Sequence, residues 1–285
     1  MQLNQVKRTL TKEEAHAREV ICSFTGLPFS LQHRLKPIPP PLSHLLFRKE
    51  EYGKGEADQW GNFEYSFAEN TKRGRLWVPE VDLFAKEERE RLKNEGVPLE
   101  PLWPKGYRFA LVLTHDVDHL DMQEALPLLY RKGKRALQAD DLEMPCRLTL
   151  LAKACAKAVL RKPKLCQDMT GTLQESLRIE KKLGVTSSYF FTVFPPSKIS
   201  RFDCLYTMDD TVLFERKKRV LSDVVKEMRD AGFDIGLHGS YFSAMDKKLL
   251  IEQKNYLERH LQGSVQTARQ HWLHFKMPVT PLNLA

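Results

Sequence analysis

Residues 107–120 read YRFALVLTHDVDHL, and the fold turns on them. The apolar run RFALVLT has the pattern of a strand covered on both faces. It ends abruptly in His115, Asp116, Asp118 and His119. Titratable groups so crowded are costly to bury unless something pairs with them. The stretch is therefore either an exposed turn or a site.

Downstream, apolar runs and helical periodicity alternate. LTLLAKACAKAVLRK repeats apolar residues at helical spacing, as does ALPLLYRKGKRAL before it. Thr172 and Glu175 form a capping box at the head of TLQESLRIEKKLG, which Gly184 closes. SSYFFTV is the next strand. VLSDVVKEMRDAG then sets Leu221, Val224, Val225 and Met228 on one stripe and stops at Gly232 before the short strand FDIGL. Ser243 and Asp246 can start a helix through KKLLIEQKNYLERHL, and VQTARQHWLHF is the last strand. Strands alternating with helices imply parallel pairing through right-handed crossovers. The fold class expected is α/β, either a small open sheet or the first part of a barrel.

Residues 1–106 have a different texture. PIPPPL, GKGEADQWGNFEY and VPLEPLWPKGY break the chain around one charged helix, LFAKEERERLKNEG, that ends on Gly96. This is an irregular N-terminal extension whose role is not readable, and residues 107–285 carry the regular fold.

Composition excludes several classes. The chain of 285 residues is 42% hydrophobic and 29% charged, which is globular. Its net charge of +8 comes from bases scattered in short groups (KRTL, RKGKR, RKPK, ERKKR), without interleaved aromatics, so no nucleic acid is expected as partner. No secretory signal or membrane-spanning run is visible, and the location expected is cytoplasmic. Five cysteines without CxxC or Cys/His zinc spacing read as reduced thiols. There is no GxSxG, no GxxxxGK[ST] and no GxGxxG, so a serine hydrolase is weakly supported and a phosphate loop is absent.

In parallel α/β folds the working residues gather past the carboxyl ends of the strands. THDVD, FPP, HGSYFS and RQHWLHF fall there. Each has a plainer reading: a single His after a strand is more often packing, and one Asp can cap a helix. His119 and Asp121 look solvated, His260 and His274 read as surface or packing residues, and Tyr206, Asp209 and Asp210 as a solvated loop. Together, two carboxylates and several histidines can bind a divalent ion and leave one carboxylate as a base. That is the minimum for metal-assisted hydrolysis. Arg269 would orient the base.

THDVDH, GLHGSYFSA, SSYFF and RQHWLHF, in this order and spacing, resemble the polysaccharide deacetylase family, carbohydrate esterase family four, in its HDVD-type branch. The resemblance covers about residues 107–281. It implies a (β/α) barrel of about seven strands that hydrolyses N- or O-acetyl groups on sugar polymers, with a divalent metal, expected to be zinc, held by one Asp and two His. Aligned on Thr114, Asp116 takes the base position of the family's TFDD motif, and Val117 stands where its metal Asp would be; Asp118 is the substitute ligand. His238 matches the first His of H-[ST]-x-x-H, but Phe242 occupies the second position. His271 then supplies the missing nitrogen, with His115 as the other option. Arg269 matches the arginine that contacts the catalytic Asp, and Tyr241 is the expected substrate contact.

Four strands are recognisable where such a barrel needs about seven. The expectation is thus an incomplete barrel, cut short at its C-terminus and completed, if at all, by a second chain. The function expected is removal of acetyl groups from a carbohydrate, in cell-surface polysaccharide biosynthesis. The competing expectation is an inactive fragment or carbohydrate-binding module.

Overall fold

A computed structural model describes residues 11–52, 57–118, 120, 133, 137, 143–159, 169–192 and 202–285. The helix expected over ALPLLYRKGKRAL, His119, Asp121 and the FPP turn lie almost wholly outside them. The chain divides into two compact units, 1–111 and 112–285.

The first unit holds helices α1 (Lys12–Thr25), α2 (Pro40–Leu46), α3 (Glu69–Lys72) and α4 (Glu80–Asn94). Thr11 and Glu14 cap α1 reciprocally. Ile21, Cys22, Ala85 and Leu92 bring α1 and α4 together in a core of their own with Leu27 and Leu35. The charged helix expected from LFAKEERERLKNEG is α4.

The second unit contains β1 (Thr114–Val117), α5 (Met144–Val159), α6 (Met169–Leu183), β2 (Ser188–Thr192), β3 (Thr211–Phe214), β4 (Lys217–Val220), α7 (Leu221–Asp230), β5 (Asp234–Gly239), α8 (Lys247–Leu261), β6 (Ala268–Gln270) and α9 (Val279–Leu284). The strands β1, β2, β5 and β6 form one parallel sheet in that order. It is a mixed α/β architecture whose sheet curls as a half-barrel does, compatible with an incomplete barrel. Among the described residues, no helix is long and apolar enough to cross a membrane.

The curl can be read from one side chain. In a flat sheet, three inter-strand steps of about 4.8 Å would separate β1 from β6 by about 14 Å. That is farther than an arginine and an aspartate reach together. Arg269 on β6 nevertheless lies 3.0 Å from Asp116 on β1. The sheet must bend to bring its edges together.

Side chains on the convex face form the core. Val117, Tyr189, Phe191, Ile235 and Leu237 alternate outward and pack with Leu173 and Leu177 of α6, Val224, Val225 and Met228 of α7, and Leu250, Leu257 and Leu261 of α8. The stripe expected on α7 is buried as a block. Asp246 caps α8, accepting from the N–H groups of Lys248 and Leu249, while Ser243 donates to Ser240 instead.

Three local expectations need correction, and one hairpin was not expected at all. The strand expected over VQTARQHWLHF is confined to Ala268–Gln270, and His271–Leu273 turns as a 3-10 helix. The strand expected over residues 108–114 begins only at Thr114: Leu111 and Val112 are 75% and 77% exposed. The reason is topological, since β1 is an edge strand and its one partner, β2, starts at Ser188, whose N–H meets the Leu113 carbonyl. The hairpin of β3 and β4 was not legible, because its two turn residues, Glu215 and Arg216 (φ 50° and 62°), lack the usual Asn-Gly signal. Thr172 falls inside α6, which starts at Met169, and so does not cap it.

The contrast between core and run predicts a stability difference. Phe191, fully buried, should cost about 3–5 kcal/mol when changed to Ala. Val112→Ala should change stability by less than about 0.5 kcal/mol. Urea unfolding of both variants of the full chain checks this: a comparable loss in each would place the apolar run in a core.

Candidate metal centre

Val117 decides which way the two aspartates of HDVD face. Successive strand side chains alternate, so with Val117 in the core Asp116 points to the concave face. Asp118, just past the strand end, also reaches partners on that side. The same alternation sends Tyr189, Phe191, Ile235 and Leu237 to the core, leaving Phe190, Gly236 and His238 on the concave face. Gly236 is required there: a Cβ would lie 2.5 Å from the Phe190 ring and 2.6 Å from Thr267 Oγ1.

Arg269 stands opposite His238 in the register. Its Nη1 donates to Asp116 Oδ1 and its Nη2 to Thr114 Oγ1, each at 3.0 Å. The guanidinium lies over the Phe190 ring at 4.8 Å. Two hydrogen bonds and a ring face thus set the orientation of the Asp116 carboxylate.

His238 is 2% exposed. Its Nδ1 lies 3.0 Å from the Arg269 carbonyl, which can only accept, so the ring N–H sits on Nδ1. Nε2 faces Asp118 Oδ1, at 3.2 Å. His271, next to the end of β6, repeats the arrangement: Nδ1 faces Asp203 Oδ1 at 3.4 Å and Nε2 faces Asp118 Oδ1 at 3.7 Å. Asp203 is in turn fixed by the Tyr241 N–H at 2.7 Å. The outer nitrogen of each histidine is engaged by an acceptor, as in histidines that bind metals.

The two Nε2 atoms thus converge on one oxygen, Asp118 Oδ1. In a tetrahedral zinc site, nitrogen and oxygen donors sit about 3.3 Å apart, given bonds of about 2.0–2.1 Å. The two separations from Asp118, 3.2 and 3.7 Å, lie near that edge.

Cys204 joins the group. Its Sγ is 3.8 Å from Asp118 Oδ1 and 3.9 Å from His271 Nε2. Asp118, Cys204 and His271 offer ligand atoms all within 4.8 Å of one another, a cluster able to hold a metal ion. Burial pushes the Cys204 thiol up to about 12; Thr192 opposes the rise, and Asp118 and Asp203 add to it.

Other residues take supporting places. Tyr241 is buried, its ring stacked on His274 at 4.1 Å, and His274 Nδ1–H donates to the Tyr241 carbonyl. His115 points to the opposite side of β1, stacked on Tyr189 and 2.7 Å from Glu180. The Ser240 hydroxyl accepts from Gln253, and His260 pairs with Asp209.

Cys204 and Asp203 were missed as parts of a site, and Tyr206 was assigned to a solvated loop rather than to the cleft. They lie in one connection whose spacing carries no ligand signal, and only the fold brings them to the strand ends. Tyr206 and Asp210 are buried, so this loop is not solvated as expected; Asp209 alone is exposed. Tyr206 donates to the Val117 carbonyl at 2.6 Å and accepts from the Thr192 N–H at 2.9 Å, joining the ends of β1 and β2. Burial raises its phenol well above the ordinary value, which keeps it a donor.

No family model, curated protein or solved structure matches the chain.

Tyr206→Phe removes the bridge and leaves a buried N–H and a buried carbonyl unpaired. The expected cost is about 1–3 kcal/mol in urea unfolding. An unchanged midpoint would mean that the bridge does not hold the strand ends.

Proposed function

We propose that residues 112–285 form a metal-dependent hydrolase of polysaccharide deacetylase type, removing acetyl groups from a carbohydrate. One observation carries the reading: the Asp116–Arg269 pair stands beside a convergence of Asp118, His238 and His271 at the carboxyl ends of parallel strands. The sequence resemblance supports it independently, through THDVDH, GLHGSYFSA and RQHWLHF.

Asp118, His238 and His271 would hold the ion, for which zinc is the best match to a nitrogen- and oxygen-donor set in this geometry. When bound, zinc supplies positive charge that polarises an acyl carbonyl and acidifies water. The chain's own residues do the rest. Asp116 is the general base. Arg269 grips its Oδ1, leaving Oδ2 to accept the water proton. The same guanidinium keeps the carboxylate from turning towards the ion, so the two aspartates divide the work of ligand and base.

Metal analysis and acetate release from an acetylated oligosaccharide test this together. The purified chain should carry close to one equivalent of divalent metal, and Asp118→Ala and His238→Ala should lose it. Asp116→Asn should retain the metal and lose about 10²–10⁴-fold in rate, the usual contribution of a general base. Metal content unchanged in both ligand variants overturns the assignment. Sugar binding without acetate release would make the concave face a carbohydrate-binding cleft.

A further inference from the structure

Cys204 has no part in that chemistry, yet it lies against the Asp118 carboxylate and the His271 ring. It is 7% exposed. A buried cysteine ordinarily acts as a small apolar side chain. Here its sulfur instead meets a carboxylate oxygen and an imidazole nitrogen, neither of which is an apolar neighbour.

We infer that Cys204 is a thiolate ligand of the metal centre formed by Asp118 and His271, a deepening of the hydrolase reading on which it rests. Two observations carry it. The first is distance: zinc bonds of about 2.3 Å to sulfur and about 2.0–2.1 Å to nitrogen or oxygen give tetrahedral edges of about 3.6 Å. The sulfur lies 3.8 and 3.9 Å from its two neighbours, within a few tenths of an ångström of such an edge. The second is that the three donor atoms form a mutually close cluster.

On binding, the S–H bond breaks, the proton passes to solvent and a sulfur lone pair goes to the metal.

A soft sulfur donor favours zinc over magnesium, calcium or manganese. The mutually close donor atoms that it completes are those of Asp118, Cys204 and His271.

Cobalt(II) substitution of the full chain tests the inference. The wild-type chain should show the near-ultraviolet thiolate-to-cobalt charge-transfer band, and Cys204→Ala should lose that band while keeping the visible cobalt bands. X-ray absorption at the zinc edge of the zinc-loaded wild-type chain needs no variant and should show one sulfur scatterer at about 2.3 Å. Visible cobalt bands without charge transfer, or charge transfer that survives in Cys204→Ala, overturn the thiolate ligand and leave the hydrolase reading standing. Failure of the wild-type chain to bind cobalt or zinc at all overturns both.

Discussion

Arg269 acts at two points at once. Its side chain crosses the concave face to Asp116 and Thr114 on the far edge strand, and its main-chain carbonyl fixes Nδ1 of His238 on the neighbouring strand. A flat sheet could not make the first contact, so the ion pair and the curl require each other. The second contact sets the tautomer of His238 and aims Nε2 at Asp118. One residue thereby orients both the carboxylate assigned as base and a nitrogen assigned as ligand. The value of the surface-accessible ion pair as stability is small, since both partners keep about a third of their side-chain exposure. Its effect is geometric.

The convex face supplies the rigidity that this geometry needs. Behind β1 and β2, Glu180 of α6 is buried and accepts from Ser187 at 2.9 Å and Tyr189 at 3.1 Å, with His115 Nε2 at 2.7 Å. A buried carboxylate is tolerable only when so satisfied. The cluster ties α6 to both strands from behind, while Tyr206 ties the strand ends from above. His115 and Asp116, adjacent in sequence, therefore do unlike things. One anchors the sheet and the other faces the cleft, because a strand turns consecutive side chains to opposite faces.

What could be read from the sequence follows the same physics. Asp116, Asp118 and His238 could be picked out because each follows an apolar run, and Arg269 and His271 because they stand in the last expected strand; strand ends in parallel folds converge. The stripe on α7 and the order of strands and helices were legible because periodicity is local. The run 108–113 misled, since apolar character does not reveal whether a neighbouring strand is present to cover it. The β3–β4 hairpin was hidden because Glu215 and Arg216 adopt positive φ without the residues that favour it. Cys204, Asp203 and Tyr206 were hidden for a different reason. Their roles come from contacts of long sequence separation, such as Tyr206 to Val117, which no local pattern encodes.

That hidden connection also adds to the donor atoms at the strand ends. Asp203 accepts from the Tyr241 N–H and faces Nδ1 of His271, whose Nε2 faces Asp118. Cys204 brings a buried sulfur to Asp118 and His271. The three donor atoms of Asp118, Cys204 and His271 lie close to one another, in a cluster able to hold a metal ion. They come from three separate segments of the chain, so the cluster forms only when the sheet curls and the connection folds back onto the strand ends, which is why no local pattern in the sequence encodes it.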